Sequence, residues 1–514
     1  MPKYCCLFNH YNQNKTINSY VFEILDYFES LHAEIILISN SPIDDEKGKT
    51  LLSKRFKGKF IERENKGYDF GAWQYAIENK MIPDDIDYLF LLNDSVFGPL
   101  SNLDVVVKKM LSDTSVDFWG LTDCYQLGWH IQSYFLCFNR KIITSNEFKN
   151  FFKQPFSTFS KEKIILNGEV ALSKRLVDAG FKGKAYVSYD TLMQGNRTTI
   201  GNKNPTHFFV YQLIKEYQFP FVKKEFIFVN PENVEINGGV MKLLKNETSF
   251  PLEYIQEAFV EKCKVDKTQK LSTPKIDVLC HLYYAENAHN FLYELSALKK
   301  YNCRFFFNLS ENLFKEPCFI ETLNKTFEDC LIIRASNVGK DIGGKLALVD
   351  LCLQMKEKSD YVIFLHDKKS PHSTLGETWR RKLFRIIESD KIAQIIGMFA
   401  KNKRTGIVAS QEFIINEYNS FTKKFDCTSN ELLKRLIAQY NLKNKKFDFV
   451  GGTMFWIRTN ILEDFFSKFN PLKIRSTLEN GNVLDHKQGT ETHSWERMLS
   501  WIAIDQHYKI KGIK

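Results

Sequence analysis

The sequence has no apolar run that approaches the ~20 residues needed to span a lipid bilayer. Its 11 cysteines are scattered and form no C-x-x-C pair. This spacing is typical of reduced thiols rather than of a disulfide framework or a zinc site. Both absences favour a cytoplasmic protein and leave open a peripheral position at the inner face of a membrane.

Several catalytic and nucleotide-binding signatures are also absent. No G-x-G-x-x-G follows the first predicted strand, and there is no Walker A loop, no H-E-x-x-H and no G-x-S-x-G. The net charge of +10 over 514 residues is modest. It is consistent with an anionic partner and equally with diffuse solvating lysines. No nucleic-acid recognition module is visible, so we expect no nucleic-acid partner.

A glycine-spaced polar motif precedes a short apolar strand in the first half. The motif Asn65-Lys66-Gly67-Tyr68-Asp69-Phe70-Gly71 leads into a predicted helix over 72–80, and the apolar run 88–92 then ends at Asn93-Asp94-Ser95. Ligands of open α/β sheets bind beyond the carboxyl ends of the strands. Asp94 is therefore a candidate ligand for a metal or a substrate, unless it only caps a loop.

The same two patterns recur in the second half. Asn337-Val338-Gly339-Lys340-Asp341-Ile342-Gly343 repeats N-x-G-x-D-x-G at an offset of 272 residues (337 − 65). The run from Asp360 to Asp367 repeats the run from Asp87 to Asp94 at an offset of 273 residues (360 − 87). Because two unrelated patterns keep their order at nearly one offset, the sequence predicts an internal duplication.

Strand and helix patterns alternate in both halves. The first half has the order strand, helix, strand, short strand, helix, strand, and a second set of strands begins at residue 276. Such alternation predicts a mostly parallel sheet. The sequence therefore predicts an α/β protein with one domain over 1–230, a linker with a candidate helix over 231–274, and a second domain over 275–514.

Two glutamates hold matching positions late in each half. Glu169 and Glu496 each begin the pattern E-x-x-L-S, and each follows a predicted strand, at 130–138 and 449–457 respectively. An acid in the first turn of a helix is favoured by the helix dipole, which is one explanation for Glu169. The other explanation is a general base that faces the crevice at the sheet edge.

These features suit the transfer of a sugar from a nucleotide donor. A diphosphate leaving group needs its charge neutralised, and a divalent cation held by oxygen ligands usually does this. The acceptor hydroxyl needs a base, and a carboxylate can serve. The chain offers a strand-ending aspartate and a later helix-borne glutamate in each half.

The motifs of both halves together resemble the rhamnan-synthesis F family of polysaccharide-assembly glycosyltransferases. The first half contributes NKGYDFGAW, LLNDSVFGPL, DFWGLTD, HIQSYFLCF and Asn204-Pro205-Thr206-His207, and the second contributes NVGKDIGG, FLHDKKS with Trp379-Arg380, GGTMFW and HSWERML. The resemblance implies two tandem GT-A-like domains of the Rossmann type and a nucleotide-sugar donor, for which dTDP-rhamnose is the type substrate. It also implies a bacterial surface glycan or lipid-linked glycan as acceptor, and inverting chemistry.

The resemblance also implies roles for particular residues. Glu169 and Glu496 are the candidate catalytic bases, and Asp94 and Asp367 occupy the place of a D-x-D metal motif. Only the central residue of that motif is acidic in either half, so dependence on a divalent cation, Mg²⁺ or Mn²⁺, stays open. The candidate substrate-binding residues are Asn65, Tyr68, Asp69, Trp73, Asn93, His130, Gln132, Asn337, Asp341, His366, Lys368 and Lys369.

Three interpretations of the tandem arrangement stay open. Each domain transfers one sugar, or one domain catalyses while the other holds the acceptor, or the protein is a glycan-binding scaffold without turnover. Lys368 and Lys369 have two interpretations as well. They contact phosphates in place of a metal, or they form a solvated turn.

Overall fold

The chain consists of two compact units, Met1–Lys262 and Cys263–Lys514. The computed structural model describes residues 2–194, 201–264, 273–285, 288–316, 318–367, 381–481, 483 and 489–514. The boundary between the units falls within the 231–274 segment, and the helices Val240–Glu247 and Leu252–Lys262 are part of the first unit. Within the described ranges, no helix combines the length and the apolar character needed to cross a lipid bilayer.

The first unit is built on an eight-stranded mixed sheet. Its strands are β1 (Tyr4–His10), β2 (Glu34–Ser39), β3 (Lys59–Glu62), β4 (Tyr88–Asn93), β5 (Val96–Phe97), β6 (Phe118–Cys124), β7 (His130–Ile131), β8 (Phe135–Asn139), β9 (Gly183–Val187) and β10 (Val222–Lys223). The order is β3-β2-β1-β4-β8-β6-β7, with β9 also pairing with β6, while β5 and β10 form a separate two-stranded sheet. Pairing is parallel from β3 to β4 and between β6 and β9, and antiparallel from β4 through β8 to β6.

Amphipathic helices cover the first sheet. In the helix Ser19–Ser30, the buried residues Val21, Ile24 and Phe28 recur every three or four positions, which places them on one face. In the helix Tyr68–Glu78, Phe70 and Trp73 join the buried core around β4. The α-helices of this unit are Ser19–Ser30, Glu46–Arg55, Tyr68–Glu78, Leu103–Leu111, Arg140–Ile143, Asn146–Phe151, Lys161–Ile164, Ala171–Asp178, Tyr189–Met193, Pro205–Phe208, Val210–Lys215, Lys224–Phe228, Val240–Glu247 and Leu252–Lys262, with a 3₁₀ turn at Phe156–Thr158 and a π-helical turn at Ile165–Val170.

The second unit is built on a seven-stranded sheet. Its strands are β11 (Ile276–Leu282), β12 (Cys303–Leu309), β13 (Leu331–Arg334), β14 (Tyr361–His366), β15 (Thr405–Ser410), β16 (Ile414–Asn416), β17 (Tyr418–Asn419), β18 (Lys424–Phe425), β19 (Asp448–Val450), β20 (Phe455–Arg458) and β21 (Lys509–Ile513). The sheet order is β13-β12-β11-β14-β20-β15-β21. Its helices are Ala288–Leu295, Glu311–Phe314, Phe319–Thr326, Lys340–Leu353, Ser389–Lys401, Asn430–Gln439, Thr459–Phe466, Pro471–Arg475 and Glu491–Asp505, with 3₁₀ turns at Ser296–Lys300, Arg385–Ile387 and Gln411–Phe413.

The two sheets share one plan. The second sheet is parallel from β13 to β14, antiparallel from β14 through β20 to β15, and parallel between β15 and β21, as in the first unit. At the centre of the sheets, Asn9 lies opposite Asn93, and His281 lies opposite His366. This arrangement confirms the predicted α/β fold with mostly parallel sheets, and it supports the predicted duplication.

The glycines of N-x-G-x-D-x-G have a structural role in both units. Gly67 and Gly339 adopt left-handed backbone conformations, with φ of +80° and +72°, at the N-terminus of the following helix. A Cβ on Gly71 would lie 2.1 Å from the backbone oxygen of Lys66, and one on Gly343 would lie 1.7 Å from that of Val338. The helix begins at Tyr68 rather than at the predicted residue 72, because the turn at Gly67 already starts it.

The strand predicted over 130–138 is two strands, β7 and β8. The backbone N–H of Ser133, between them, donates to the Glu169 carboxylate at 2.8 Å instead of to a neighbouring strand. The predicted strand over 449–457 divides in the same way into β19 and β20, because the backbone N–H of Gly452 donates to Glu496 at 2.6 Å. The sequence pattern missed both interruptions.

Candidate active site

Three polar residues of the first unit meet at the carboxyl end of β4. Asn93 Nδ2 donates to Asp69 Oδ2 at 2.9 Å, and Asn93 Oδ1 accepts from the Ser95 hydroxyl at 2.6 Å. Asp69 Oδ1 also accepts from the backbone N–H of Phe70 at 3.0 Å. Asn93 therefore orients the Asp69 carboxylate at the edge of the sheet where ligands of such folds bind.

Asp69 lies close to a second carboxylate. Burial raises its pKa, the charge of Glu169 raises it further, and hydrogen bonds from Phe70 and Asn93 only partly oppose this, so that the pKa is about 6. Two carboxylates held near each other disfavour the doubly ionised state. Asp69 and Glu169 thus share one electrostatic environment although 100 residues separate them in the sequence (169 − 69).

Glu169 is anchored through one oxygen only. Its Oε1 accepts from the backbone N–H of Ser133 at 2.8 Å, and one turn later Ser173 Oγ accepts from the backbone N–H of Ile131 at 3.0 Å. The residue is half-buried. In the part of the chain that the structure describes, Glu169 Oε2 has no hydrogen-bond or ion-pair partner. An oriented carboxylate with one unused oxygen has the geometry that a general base needs.

Asp94 is buried among a lysine, a tyrosine and a histidine. Its Oδ2 lies 3.3 Å from Tyr20 Oη, 3.3 Å from Lys224 Nζ and 4.0 Å from His10 Nε2. Burial lowers the pKa of His10 to about 4, and this outweighs the opposing effect of Asp94. His10 is therefore neutral near pH 7, and the Lys224 ammonium is the counter-charge of Asp94.

This donor set does not fit a divalent cation. Among the described residues there is no group of three or more histidine, cysteine, aspartate or glutamate side chains that could hold a metal. Hard cations such as Mg²⁺ require several oxygen ligands, and Asp94 offers one carboxylate that already contacts an ammonium. In the second unit, both oxygens of Asp367 accept from the backbone N–H of Tyr283 at 2.8 Å, so this carboxylate orders a loop. The surroundings of Asp94 and Asp367 therefore do not match those of the metal ligands that the sequence predicted.

Two adjacent lysines flank the first site, and sequence reasoning missed both. Lys223 Nζ donates to Ser95 Oγ at 3.0 Å and lies 4.3 Å from the centroid of the Tyr134 ring. Lys224 Nζ contacts Tyr20 and Asp94. Burial lowers the pKa of Lys223, while Glu169 and other nearby carboxylates oppose this. The only local feature of the sequence that marks these lysines is their position as a pair directly after the apolar run 219–222.

The remaining predicted substrate residues of the first unit have different settings. Trp73 is fully buried and packs against Phe70 in the core, so the prediction that it binds substrate needs correction. Gln132 is buried, accepting from Thr122 Oγ1 at 2.7 Å and donating to Asn204 Oδ1 at 3.2 Å. His130 is buried on β7 and contacts the backbone oxygen of Gly128 at 2.9 Å, whereas Asn65 and Tyr68 are exposed at the sheet edge.

The corresponding centre of the second unit contains its own cation. Lys345, only 1% exposed, directs Nζ to Asp341 Oδ2, His366 Nδ1 and the backbone oxygen of Thr453, each at 2.9 Å. Thr453 Oγ1 also donates to Asp341 at 2.7 Å. Burial would raise the pKa of Asp341, but Lys345, His366 and Thr453 together hold it well below its ordinary value. Lys345 occupies the helix position that Trp73 occupies in the first unit (345 − 73 = 272).

The second glutamate also differs from the first. Glu496 Oε1 accepts from the backbone N–H of Gly452 at 2.6 Å, and its Oε2 accepts from Arg497 Nη1 at 3.3 Å. Both carboxylate oxygens are therefore engaged. Asn337 Nδ2 lies 3.4 Å from Tyr283 Oη. The predicted sites Lys368 and Lys369 lie outside the described residues.

Similar solved structures include two glycosyltransferases. Glycosyltransferase GlyE of Streptococcus pneumoniae is 13% identical, with 76% of this chain and 90% of that chain covered and a TM-score of 0.27. Mouse xyloside xylosyltransferase 1 is 10% identical, with 36% of this chain and 84% of that chain covered and a TM-score of 0.23.

Similar curated proteins come from two bacteria. Virulence protein VirA of Vibrio anguillarum is 31% identical over 198 residues, which cover 34% of this chain and 63% of that protein. Uncharacterized protein y4gN of Sinorhizobium fredii is 27% identical over 192 residues, which cover 36% of this chain and 49% of that protein. The matches therefore span less than two thirds of the length of these relatives. A family model described as Rhamnan synthesis protein F matches residues 35–508, a range that runs through both units.

Proposed function

Because the chain belongs to the rhamnan synthesis protein F family, as its motifs predicted, we propose that it is a nucleotide-sugar-dependent glycosyltransferase of bacterial surface-polysaccharide assembly. The donor is a nucleotide-linked rhamnose, which the description of the family supports. The acceptor is a growing glycan, either free or lipid-linked. The first unit carries out the transfer.

The different hydrogen-bond partners of Glu169 and Glu496 support the assignment of transfer to the first unit. Glu169 uses one oxygen to accept from Ser133, and its second oxygen has no partner within the described ranges. Glu496 uses both oxygens, and one of them faces the guanidinium of Arg497. A base must have a lone pair to offer to the acceptor hydroxyl. Among the described residues, Glu169 keeps one oxygen without any partner, whereas each oxygen of Glu496 already accepts a hydrogen bond.

The two aspartates of the duplicated motif support the same choice. Asp69 is held by the Asn93 amide and burial raises its pKa to about 6, whereas Asp341 is ion-paired with the buried Lys345. In the second unit, the buried Lys345 ammonium neutralises the Asp341 carboxylate, so a substrate would meet no uncompensated carboxylate charge at that position. The second unit then keeps the fold without the same chemistry, which favours the interpretation with one catalytic domain.

The geometry suits inverting transfer. Glu169 Oε2 takes the proton of the acceptor hydroxyl, and the acceptor oxygen attacks the anomeric carbon from the face opposite the nucleotide. The bond between that carbon and the phosphate oxygen breaks, and its electron pair leaves with the diphosphate. Asp69, oriented by Asn93, lies beside this path at the sheet edge. One carboxylate base and one displacement give inversion at the anomeric carbon.

The test compares Glu169→Gln with Glu496→Gln in the full chain. The glutamine Oε1 can accept the same backbone hydrogen bond, so each variant should fold while losing the carboxylate charge. Sugar transfer and slow donor hydrolysis are measured with dTDP-, UDP- and GDP-sugars and a lipid-linked glycan acceptor. We expect Glu169→Gln to lower kcat by about 10²–10⁴-fold with little change in donor affinity, because a general base contributes that much.

Glu496→Gln is the matched control, since it sits at the equivalent position and makes the equivalent backbone bond. It should leave kcat within about threefold of the wild type, because it takes no part in proton transfer. Similar losses in both variants would support two active sites instead. No turnover of any donor, with binding of a glycan retained, would support a scaffold without enzymatic activity.

A further inference from the structure

Two lysines distant in sequence are brought next to the Asn93-Asp94-Ser95 loop. Strand β10 pairs antiparallel with β5, with Lys223 opposite Val96. Since β5 begins directly after Ser95, this pairing sets the side chains of Lys223 and Lys224 against the loop. The backbone supports the placement, because the N–H of Lys224 donates to the Ser95 oxygen at 3.0 Å.

The two ammonium groups have different surroundings. Lys224 Nζ is paired with Asp94 at 3.3 Å and forms an ion pair with no other carboxylate among the described residues. Lys223 Nζ donates to Ser95 Oγ at 3.0 Å, and within the described part of the chain it forms no ion pair. An ammonium has three donors. Lys223 therefore keeps donor capacity. Glu169 and other carboxylates act on its charge, but none of those described lies within ion-pair distance of its ammonium.

A buried histidine nitrogen beside the lysines also lacks a partner. His207 is 7% exposed, and its Nε2 makes no hydrogen bond in the described structure. The nearest carboxylate oxygen, Glu225 Oε2, lies 3.7 Å away, beyond hydrogen-bond distance. The Lys223 charge and burial keep the pKa of His207 low, at about 4, with burial the larger effect. The two ammonium groups thus lie against the loop, and a neutral imidazole lies near that of Lys223.

We propose that Lys223 and Lys224 bind the diphosphate of the nucleotide donor and neutralise it as it leaves, in the place where a divalent cation would otherwise act. This inference rests on the proposed glycosyl transfer and specifies how the same site handles the leaving group. Lys223 contributes its unused donors, and Lys224 exchanges part of its contact with Asp94 for a phosphate oxygen. Ammonium groups bind phosphate as point charges and need no set of oxygen ligands.

The geometry favours this arrangement over a metal. A cation bound by Asp94 Oδ2 would have to displace Lys224 or sit beside its ammonium, only a hydrogen-bond length away. Like charges at that separation repel strongly in a poorly solvated site. The single carboxylate of the motif is already used to hold one of the two lysines.

The test measures nucleotide binding to the full chain by isothermal titration calorimetry, with dTDP, UDP and GDP as probes and the matching nucleosides as phosphate-free controls. Each probe is titrated in Mg²⁺ and in EDTA. We expect the diphosphate that binds to keep its Kd within about threefold in EDTA, and Lys223→Met and Lys224→Met each to weaken it by about 10–100-fold, the range for a hydrogen bond to a charged group. Nucleoside binding should not change.

Lys215→Met is the matched control, because Lys215 is an exposed lysine of the same unit that pairs with Glu247. It should leave Kd unchanged. Lys224→Arg keeps the charge and should retain more affinity than Lys224→Met. Since Lys224→Met leaves Asp94 without a counter-charge, Lys224→Met is also combined with Asp94→Asn, which removes both charges, so that weaker binding cannot be ascribed to an unpaired Asp94.

The outcomes separate this inference from the proposed function. Binding that requires Mg²⁺ and is indifferent to both lysines overturns the inference, even if donor turnover shows that the transferase assignment is right. Absence of diphosphate binding in either buffer overturns it as well. Binding in EDTA that depends on both lysines, without turnover of any donor, supports the diphosphate site but contradicts the proposed transfer and with it the role of the lysines in departure of the diphosphate.

Discussion

Replacing Lys345 with methionine should destabilise the second unit by about 3 kcal/mol. Removing one partner of a buried ion pair costs about 3–5 kcal/mol, because the other charge stays behind without compensation. We take the lower end of that range, since the Asp341 side chain is 25% exposed while Lys345 is 1% exposed. Methionine is close to lysine in length, so the substitution removes the charge without opening a large cavity.

Hydrogen exchange of the helix Lys340–Leu353 measures this effect locally. A loss of about 3 kcal/mol corresponds to a more than ~100-fold increase in the opening equilibrium of the backbone amides. The deficit should shrink as the pH falls towards the ordinary aspartate range, because Asp341 can then take up a proton. In the wild type, the low pKa of Asp341 means that the ion pair stabilises the unit above that range and is lost only at stronger acidity.

Two further variants decide the interpretation. Lys345→Met with Asp341→Asn removes both charges and should recover much of the lost protection. Lys325→Met removes a surface lysine paired with Glu321 on one helix turn, and should change the free energy by at most ~0.5 kcal/mol. If the exchange rates in Lys345→Met stay within about threefold of the wild type, the Lys345 ammonium does not stabilise the second unit by compensating the Asp341 charge, and this prediction is wrong.

Two other predictions follow from the first site and from the helix glycines. Asp69 has a folded-state pKa of about 6 against an ordinary value of 3.8, so it stabilises the first unit at low pH and this contribution is lost as the pH rises through 6. Glu169→Gln should lower that pKa, as measured by ¹³C NMR of the carboxyl group, and an unchanged value would contradict the coupling. Gly343→Ala should destabilise the second unit by about 2–3 kcal/mol, because its Cβ would meet the Val338 oxygen at 1.7 Å. Gly397→Ala, in a helix with open space at that point, should stabilise it by about 0.5–1 kcal/mol, and thermal unfolding that ranks the two in the opposite order would count against both.

The parts of the fold that the sequence predicted are those set by local patterns. The apolar runs that become β1, β4, β11 and β14 are short and continuous, as expected for buried parallel strands. The helix start at Tyr68 was missed, because the left-handed turn of Gly67 is a backbone effect that periodicity does not show. Trp73 was misassigned for a related reason: a motif gives the position of a residue along a helix but not which face meets the core.

The parts of the site that the sequence missed depend on long-range pairing. Lys223 reaches Ser95 across 128 residues, and no local feature of either segment indicates that β10 pairs with β5. Lys345 lies in an ordinary helical pattern, where a lysine is expected to be exposed. Its ammonium contacts Asp341, one turn earlier in the same helix, and Thr453, which is 108 residues away in the sequence.

In both units a backbone N–H donates a hydrogen bond to the E-x-x-L-S glutamate, from Ser133 to Glu169 and from Gly452 to Glu496. In either unit, replacing this glutamate would remove the acceptor of that backbone N–H, whether or not the unit transfers sugar. A saturation library scored by protein abundance should rank Glu169 and Glu496 alike, whereas one scored by polymer output should not. The next residue is more informative: Val170 leaves the carboxylate of Glu169 available, and Arg497 occupies that of Glu496. Under the proposed function, counting active units by their glutamates alone would give two where only the first unit transfers sugar.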